Sequence, residues 1–530
     1  MALIFAANRQ NVKKVESPPD EAQQVHRYSA VCGRNFIPGL SAACQSRELR
    51  YSCVTLDMTD MRPPRRNAGA DKPVPPYARS LLLAAAAIYY AAYVFRLSFV
   101  IDGTRYFLLA DDVMITMCYG RTLADVGQLA WYPGGPGGGF SSILWVWLSA
   151  LAWKLLPVVS KTALLIQVLN GLALVLTLYY VMSVARELSG PGAETIAGVL
   201  TIACWPLVNM FAQGWEFSTV SLGIVAGYYY WLRRNWLLVG VFVLLIGLTR
   251  FPLPTNTMAA KLTGYPWPLM VTRGAWMEFR DALGRGLPLL VLVLTMAVTR
   301  RWRRERWLPL GVFAFAVLLS IAVGGDAWHT MMGGSRITIA ALPLLAVVGS
   351  LALADLTSAF ARPSTRRLLT AVAILAMCLT WTNPARTMML VTSWENDVWH
   401  KDLVRMAGWV DDHTEHDARI AVAAAGIVPW IVQRQWVDVL GLNDAVIARL
   451  PAHRAPNGRN PLTFFHPGHM KFDPSSMVAR HEPDIVLQAW GLKASAQEWA
   501  QIADRYEIRW LTIYEEPYPI LVRTGTTKLH

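Results

Sequence analysis

Apolar runs dominate the first two thirds of the chain, and most are too long and too uniformly apolar to be one buried face of a soluble helix. Crossing about 30 Å of hydrocarbon takes roughly 17 to 25 apolar residues. The runs Ser80–Val100, Thr162–Ala185, Thr195–Phe211, Phe217–Leu232, Trp307–Gly325, Ile337–Ala354 and Leu368–Asn383 meet or approach that length. Asn235–Thr249 and Leu287–Thr299 are shorter and need flanking residues to reach. Phe140–Pro157 is ambiguous by length, and the arginines decide it. Basic residues collect on the cytoplasmic side of a membrane. Arg62, Arg65, Arg66, Lys72 and Arg79, then Arg233 and Arg234, the cluster from Arg300 to Arg306, and Arg362 to Arg367 share one side only if Phe140–Pro157 lies along the surface or re-enters. The pattern therefore predicts a polytopic α-helical membrane protein with about nine spans plus a juxtamembrane helix.

The two ends are polar. Residues 1–78 are proline-rich with no sustained apolar period, which predicts a disordered cytoplasmic tail. The tail is open to two readings, a functional arm or a true start nearer Met58 or Met61. Residues 79–383 form the transmembrane region, with a long first external loop at 101–139. Residues 384–530 mix a helical segment (Asp402–Asp412) with short apolar strands (Ile420–Ala424, Trp436–Leu440, Asp484–Gln488), which predicts a C-terminal α/β domain. With an odd number of spans this domain is extracytoplasmic, and the protein is a multi-pass component of the inner (plasma) membrane.

Composition agrees and narrows the function. At 54% hydrophobic and 16% charged residues, the chain is no ordinary soluble enzyme. Its net charge of +13 comes largely from arginines beside apolar runs, so it marks topology and not nucleic-acid binding. Six scattered cysteines form neither a disulfide framework nor a zinc spacing.

On this topology the candidate chemistry collects on the external side. Asp111 and Asp112 follow the first span and precede a predicted helix, Val113–Ala124. Adjacent carboxylates point in different directions, so one can act as general base while the other orients a cation; the competing reading is a helix N-terminal cap. Between two later spans, Gly324–Arg336 brings together Asp326, His329 and Arg336. An arginine there suits a lipid phosphate or simply snorkels to the interface. Lys261, in the loop after Pro254-Thr-Asn-Thr257, carries the same ambiguity. His329, His466 and His469 are too dispersed to predict a metal site. The glycine run Gly134–Gly139 lacks the ending of a nucleotide loop and reads as a flexible turn.

In chain order, these pieces resemble one family. Ala110-Asp-Asp-Val-Met-Ile-Thr-Met-Cys-Tyr119, Gly127-Gln-Leu-Ala-Trp-Tyr-Pro133 and Phe140-Ser-Ser-Ile-Leu-Trp145 are followed by Gly214-Trp-Glu216 and Pro254-Thr-Asn-Thr257 with Lys261. Then come Gly324-Gly-Asp326 with Arg336 and Pro343, Val437-Asp-Val-Leu-Gly-Leu-Asn-Asp444, Ile447-Ala-Arg449, Pro467-Gly-His469 and Pro483-Asp-Ile485. The series resembles the GT-C polytopic glycosyltransferases, in particular the terminal β-(1→2)-arabinofuranosyltransferases of actinobacterial cell walls. The resemblance implies transfer of a sugar, arabinofuranose in that branch, from a polyprenyl-phosphate donor to an envelope glycan acceptor at the external face of the lipid bilayer. It also implies a catalytic acid in the first external loop, which carries over onto Asp111 and Asp112. Charge then suggests Lys261 and Arg336 as donor-phosphate ligands, with Glu216, Asp326 and His329 as orienting or acceptor-side groups. A divalent cation is left open as a cofactor.

The chain also departs from the family pattern. Leu248-Thr-Arg250 runs directly into Phe251-Pro-Leu-Pro254-Thr-Asn256, where family members carry a Pro-acidic-Gly motif and tens of further residues. Gly214-Trp-Glu216 stands for the usual Gly-Met-Glu. Two alternatives therefore accompany the enzyme reading: a transporter or flippase of a lipid-linked sugar, and an inactive envelope-assembly relative of the same fold.

Overall fold

The computed structural model describes residues 77–250, 255–281, 304–327, 333–358, 395–453, 465–488, 502–512 and 517–530, with isolated positions between. The expected tail and the expected spans at 287–299 and 368–383 lie wholly or mostly outside these residues, as does His329.

The first span is helix α1 (Tyr77–Leu97), followed by a short antiparallel hairpin, β1 (Phe99–Ile101) and β2 (Thr104–Tyr106). Helix α2 (Asp111–Val126) fills most of the first loop and packs on α3 (Ile143–Leu155). Ser142 caps α3 by accepting the Trp145 N–H at 3.2 Å. Its 13 residues extend only about 20 Å, too short to cross a bilayer unaided. Gly120 of α2 lets the two helices touch, since a Cβ there would lie 2.8 Å from the Ala150 backbone nitrogen.

Helices α4 (Thr162–Ser189), α5 (Pro191–Ala203), α6 (Trp205–Ala212), α7 (Phe217–Leu232) and α8 (Trp236–Arg250) follow. After α9 (Thr255–Leu262) and α10 (267–281) come α11 (Arg304–Ala322) and α12 (Arg336–Ser358). Among the described residues, α1, α4 and α12 are each long and apolar enough to cross a membrane. The pair α5–α6, bent by 58°, makes a fourth if it is one span. The bend replaces the straight helix expected over Thr195–Phe211, and Pro206 explains it: proline withholds a backbone donor and clashes with the preceding turn. The α7–α8 pair is short because the turn between them uses up the flanks, with Arg234 in the left-handed region at φ 56°.

The C-terminal part is built on a five-stranded mixed sheet in the order β4-β3-β5-β7-β6. Its strands are β3 (Arg419–Val422), β4 (Gln435–Asp438), β5 (Ile485–Val486), β6 (Tyr506–Leu511) and β7 (Tyr518–Arg523). The β4, β3 and β5 strands are parallel; β7 and β6 extend the sheet antiparallel. Around it lie α13 (Glu395–His413), α14 (Ile427–Ile431) and α15 (Pro474–His481). The predicted helix and three predicted strands are present with shifted ends, while the β6–β7 hairpin was not foreseen.

The described residues pack as one compact unit. A single buried apolar cluster runs from Tyr90 and Tyr93 of α1 through Met114 and Met117 of α2 to Ile420 and Val422 of the sheet. The loops after β3 and β4 face α2. Trp131 Nε1 donates to Ala425 O at 3.1 Å, Arg121 Nη1 to Trp430 O at 3.0 Å, and Tyr119 Oη to Asn443 Oδ1 at 2.8 Å. The carboxyl ends of the parallel strands, where open α/β sheets present functional loops, are thus turned toward the segment 101–139 that follows α1.

Candidate functional site

Ala110 precedes α2 and makes no side-chain cap; Asp111 and Asp112 occupy the first helical turn without capping it. Consecutive residues on a helix differ by about 100° in direction, and the two acids diverge accordingly. Asp111 Oδ1 accepts the backbone N–H groups of Gly426 (3.2 Å) and Ile427 (2.7 Å) at the start of α14. These are orphan donors of a helix N-terminus, which favour a carboxylate. Burial nevertheless pushes the Asp111 carboxyl up to about 7, against the lowering effect of those amides, and the nearby Asp112 charge adds to the rise.

Asp112 faces the other way, toward Arg336, whose Nη1 is 3.6 Å from Asp112 Oδ2. The Arg336 fork also grips Asp326: Nε meets Oδ2, and Nη2 donates to Oδ1 at 2.8 Å. Its guanidinium lies 3.8 Å over the Trp215 ring. The indole is held there by the turn at Gly214, whose φ of 82° and 2.7 Å approach to the Leu109 side chain exclude a Cβ. That turn is tied to the aspartates, because Ala110 N donates to Gln213 O at 3.1 Å, and to α3, because Trp145 Nε1 donates to Gly214 O at 2.8 Å. Glu216, buried at the start of α7, pairs with Arg250 Nη1 at 2.6 Å. Asp326 is fixed from below by Arg273 of α10, which donates to the carbonyls of Gly324 (2.5 Å) and Asp326 (3.2 Å).

Lys261 completes the group from α9. Among the described residues its ammonium makes no ion pair or hydrogen bond. Burial depresses its pKa; Asp112 opposes that shift, and Arg336 and Arg250 add to it. Asp112, Lys261, Arg336, Glu216 and Asp326, proposed from sequence, therefore fall in one electrostatic cluster, to which Arg250 and Trp215 belong as well. Sequence reasoning missed those two. Arg250 ends the Leu-Thr-Arg motif at the mouth of an apolar run, a position that is a usable signal for an interfacial cation.

The glycine run is more firmly bonded than a flexible turn. Gly139 N donates to Tyr119 Oη at 2.9 Å, Asn256 Nδ2 to Gly137 O at 3.1 Å, and Thr257 Oγ1 to Phe140 O at 2.9 Å. The Pro254-Thr-Asn-Thr257 motif thus binds the first loop to the lysine helix. Its far side is stiffened by Asp438, whose carboxylate accepts from the backbones of Leu440, Gly441 and Asn443.

One family model matches the chain, over residues 394–520: a domain of unknown function, DUF8728. No curated protein matches it. Among solved structures it is similar to the oligosaccharyltransferase AglB from Archaeoglobus fulgidus in complex with an inhibitory peptide and a dolichol-phosphate. That match has 12% identity and a TM-score of 0.41, covering 68% of this chain and 64% of AglB. It is also similar to ArnT from Cupriavidus metallidurans. The apo state gives 13% identity and a TM-score of 0.41 over 84% of this chain and 97% of that one. ArnT bound to undecaprenyl phosphate gives 12% identity and 0.41 over 85% and 99%. The chain thus spans somewhat under two thirds of AglB and nearly all of ArnT.

Proposed function

We propose that this protein is a GT-C-type glycosyltransferase that moves a sugar from a polyprenyl-phosphate donor to a cell-envelope glycan on the extracytoplasmic face of the plasma membrane. Arabinofuranose is the sugar that the motif series favours, and about nine spans with an external C-terminal region is the topology that the arginines favour. The observation that carries the reading is Lys261: a half-buried lysine with no direct protein partner among the described residues, next to a guanidinium already shared between two acids. Such a charge is costly unless an anion arrives to meet it.

In this mechanism Lys261 and Arg336 bind the donor phosphate, with Arg250 close enough to add to the field. The acceptor hydroxyl attacks the anomeric carbon. A new carbon–oxygen bond forms, the bond from the anomeric carbon to the phosphate oxygen breaks, and its electron pair leaves with the lipid phosphate. Asp112 takes the hydroxyl proton. The developing phosphate charge meets preorganised cations away from bulk water, which is where such stabilisation is strongest. Asp111 keeps Asp112 in place by holding the adjoining turn on α14, while Asp326 and Glu216 orient the arginines.

A divalent cation fits these residues poorly. Asp112 and Asp326 both face Arg336, and among the described residues no three His, Cys, Asp or Glu side chains gather as a ligand set. Each step above therefore uses protein cations.

The test is transfer from a polyprenyl-phosphoryl sugar by purified protein. Asp112→Asn is expected to insert normally and lose at least about a hundredfold in kcat. Full activity in both Asp111→Asn and Asp112→Asn would overturn the proposal. Lipid translocation without transfer in reconstituted vesicles would point to a transporter instead.

A further inference from the structure

Among the described residues β6 is an edge strand: β7 pairs with it on one side, and no described strand lies on the other. The ladder fixes which of its backbone groups face outward. Thr524 N donates to Arg505 O at 2.8 Å, so these two residues form a hydrogen-bonded pair. Antiparallel pairs alternate between bonded and non-bonded. Glu507, Arg509 and Leu511 therefore bond to β7, while Tyr506, Ile508 and Trp510 turn their backbone N–H and C=O groups to the open edge. Pro519, which has no N–H to give, accordingly stands opposite Trp510. Arg523, opposite Tyr506, points its N–H away from β6 and donates it to Asp484 O at 2.9 Å.

The side chains of this edge are complementary to themselves. Ile508 and Trp510 are 49% and 59% exposed on one face, beside the buried Tyr506. Glu507 and Arg509 are exposed on the other face and pair with each other, Nε donating to Oε1 at 2.8 Å. Native sheets commonly blunt an open edge with like charge, proline or a bulge. Strand β6 contains no proline, and its two charges are opposite in sign and two residues apart. Against an antiparallel copy of the strand, three central registers are open. Two of them set Glu507 opposite Glu507 or Arg509 opposite Arg509, and like charges directly opposite are destabilising. The third sets Ile508 opposite Ile508. Each Glu507 then faces the other copy's Arg509 in a non-bonded pair, where side chains are closest, and each Trp510 falls opposite Tyr506, extending the covered apolar face.

We infer that the β6 edge is a dimer interface: strand β6 pairs antiparallel with β6 of a second copy of this chain, in the register centred on Ile508, and joins the two C-terminal sheets into one. The charge order selects a second copy as the partner, because a two-fold contact must be self-complementary and this register alone makes it so. On assembly Glu507 and Arg509 exchange their internal pair for two pairs across the interface. The outward N–H and C=O groups of Tyr506, Ile508 and Trp510 gain strand partners. The charged cluster around Asp112 takes no part, so the inference stands apart from the glycosyl-transfer reading.

The experiment uses the full-length protein and reads assembly, not turnover, by disulfide crosslinking in intact membranes and by light scattering in detergent. Ile508→Cys lies on the two-fold axis, where facing Cα atoms of a bonded pair are about 5.5 Å apart, within reach of a disulfide. Trp510→Cys sets the two thiols about 14 Å apart along the strands, out of reach. Mild oxidation is expected to give at least about tenfold more covalent dimer from Ile508→Cys than from Trp510→Cys or wild type. Arg509→Glu and Glu507→Arg are each expected to weaken self-association about tenfold, and the two co-expressed under different tags to co-purify, because each then meets opposite charge. Equal crosslinking at the two positions overturns the inference, as does a wild-type dimer indifferent to both charge variants, which would be joined elsewhere. Crosslinking in detergent but not in membranes overturns it too, since two copies share a bilayer only if the two-fold axis runs along its normal.

Discussion

Asp111 and Asp112 are chemically identical neighbours with different work. Asp111 accepts two backbone amides from 315 and 316 residues away, whereas Asp112 meets Arg336. Asp111→Asn is expected to preserve the docking, because an amide oxygen also accepts both N–H groups; Asp111→Ala leaves them unmet and costs roughly 2–5 kcal/mol. The pH response separates the two further. With its carboxyl lifted from 3.8 to about 7, the folded protein holds a proton that the unfolded chain has lost. The stability contributed by Asp111 is therefore greatest in acid and declines as pH rises from about 4 to about 7. Thermal unfolding in detergent at about pH 5 and about pH 8 should show a smaller difference for Asp111→Asn than for wild type. For the cations, Lys261→Ala and Arg336→Ala are each expected to weaken polyprenyl-phosphate binding about tenfold, measured by equilibrium binding. The sequence made the acidic pair visible but could not tell the members apart, since the partner that distinguishes them is remote in the chain.

At the scale of elements, close approaches carry the architecture. A Cβ on Gly426 would run into the Asp111 backbone and stand 3.0 Å from its carboxylate, so Gly426→Ala is expected to lower stability by about 1–3 kcal/mol and reduce turnover while membrane insertion persists. Unfolding temperature and membrane-fraction yield check the two halves of that statement. Helices α1, α2, α4 and α12 were legible because apolar length and the acid–helix junction are local signals. The break at Cys204–Trp205 was hidden by continuous apolarity, although Pro206 marked it. The β6–β7 hairpin was overlooked although Tyr506-Glu-Ile-Arg-Trp510 alternates apolar and polar residues; its burial does not follow that alternation, with Glu507, Ile508, Arg509 and Trp510 all exposed. The glycine run looked loose because its partners, Asn256, Thr257 and Tyr119, come from two other helices.

For the whole molecule, the arginine pattern predicts an external C-terminus. A cysteine introduced at the exposed Thr527 should react with a membrane-impermeant maleimide on intact cells, above the labelling of the parent protein; protection until lysis would reverse the topology. The division into an apolar body and a polar C-terminal part was readable from composition. Their shared core was not, because Met114, Trp131, Ile420 and Trp430 become neighbours only through tertiary packing.

The grip of Asp111 on the first turn of α14 has a mechanical consequence. On the proposed transfer reading, a load on the C-terminal sheet reaches the turn beside Asp112 through Gly426 and Ile427, alongside the bonds of Trp131 to Ala425, Arg121 to Trp430 and Tyr119 to Asn443.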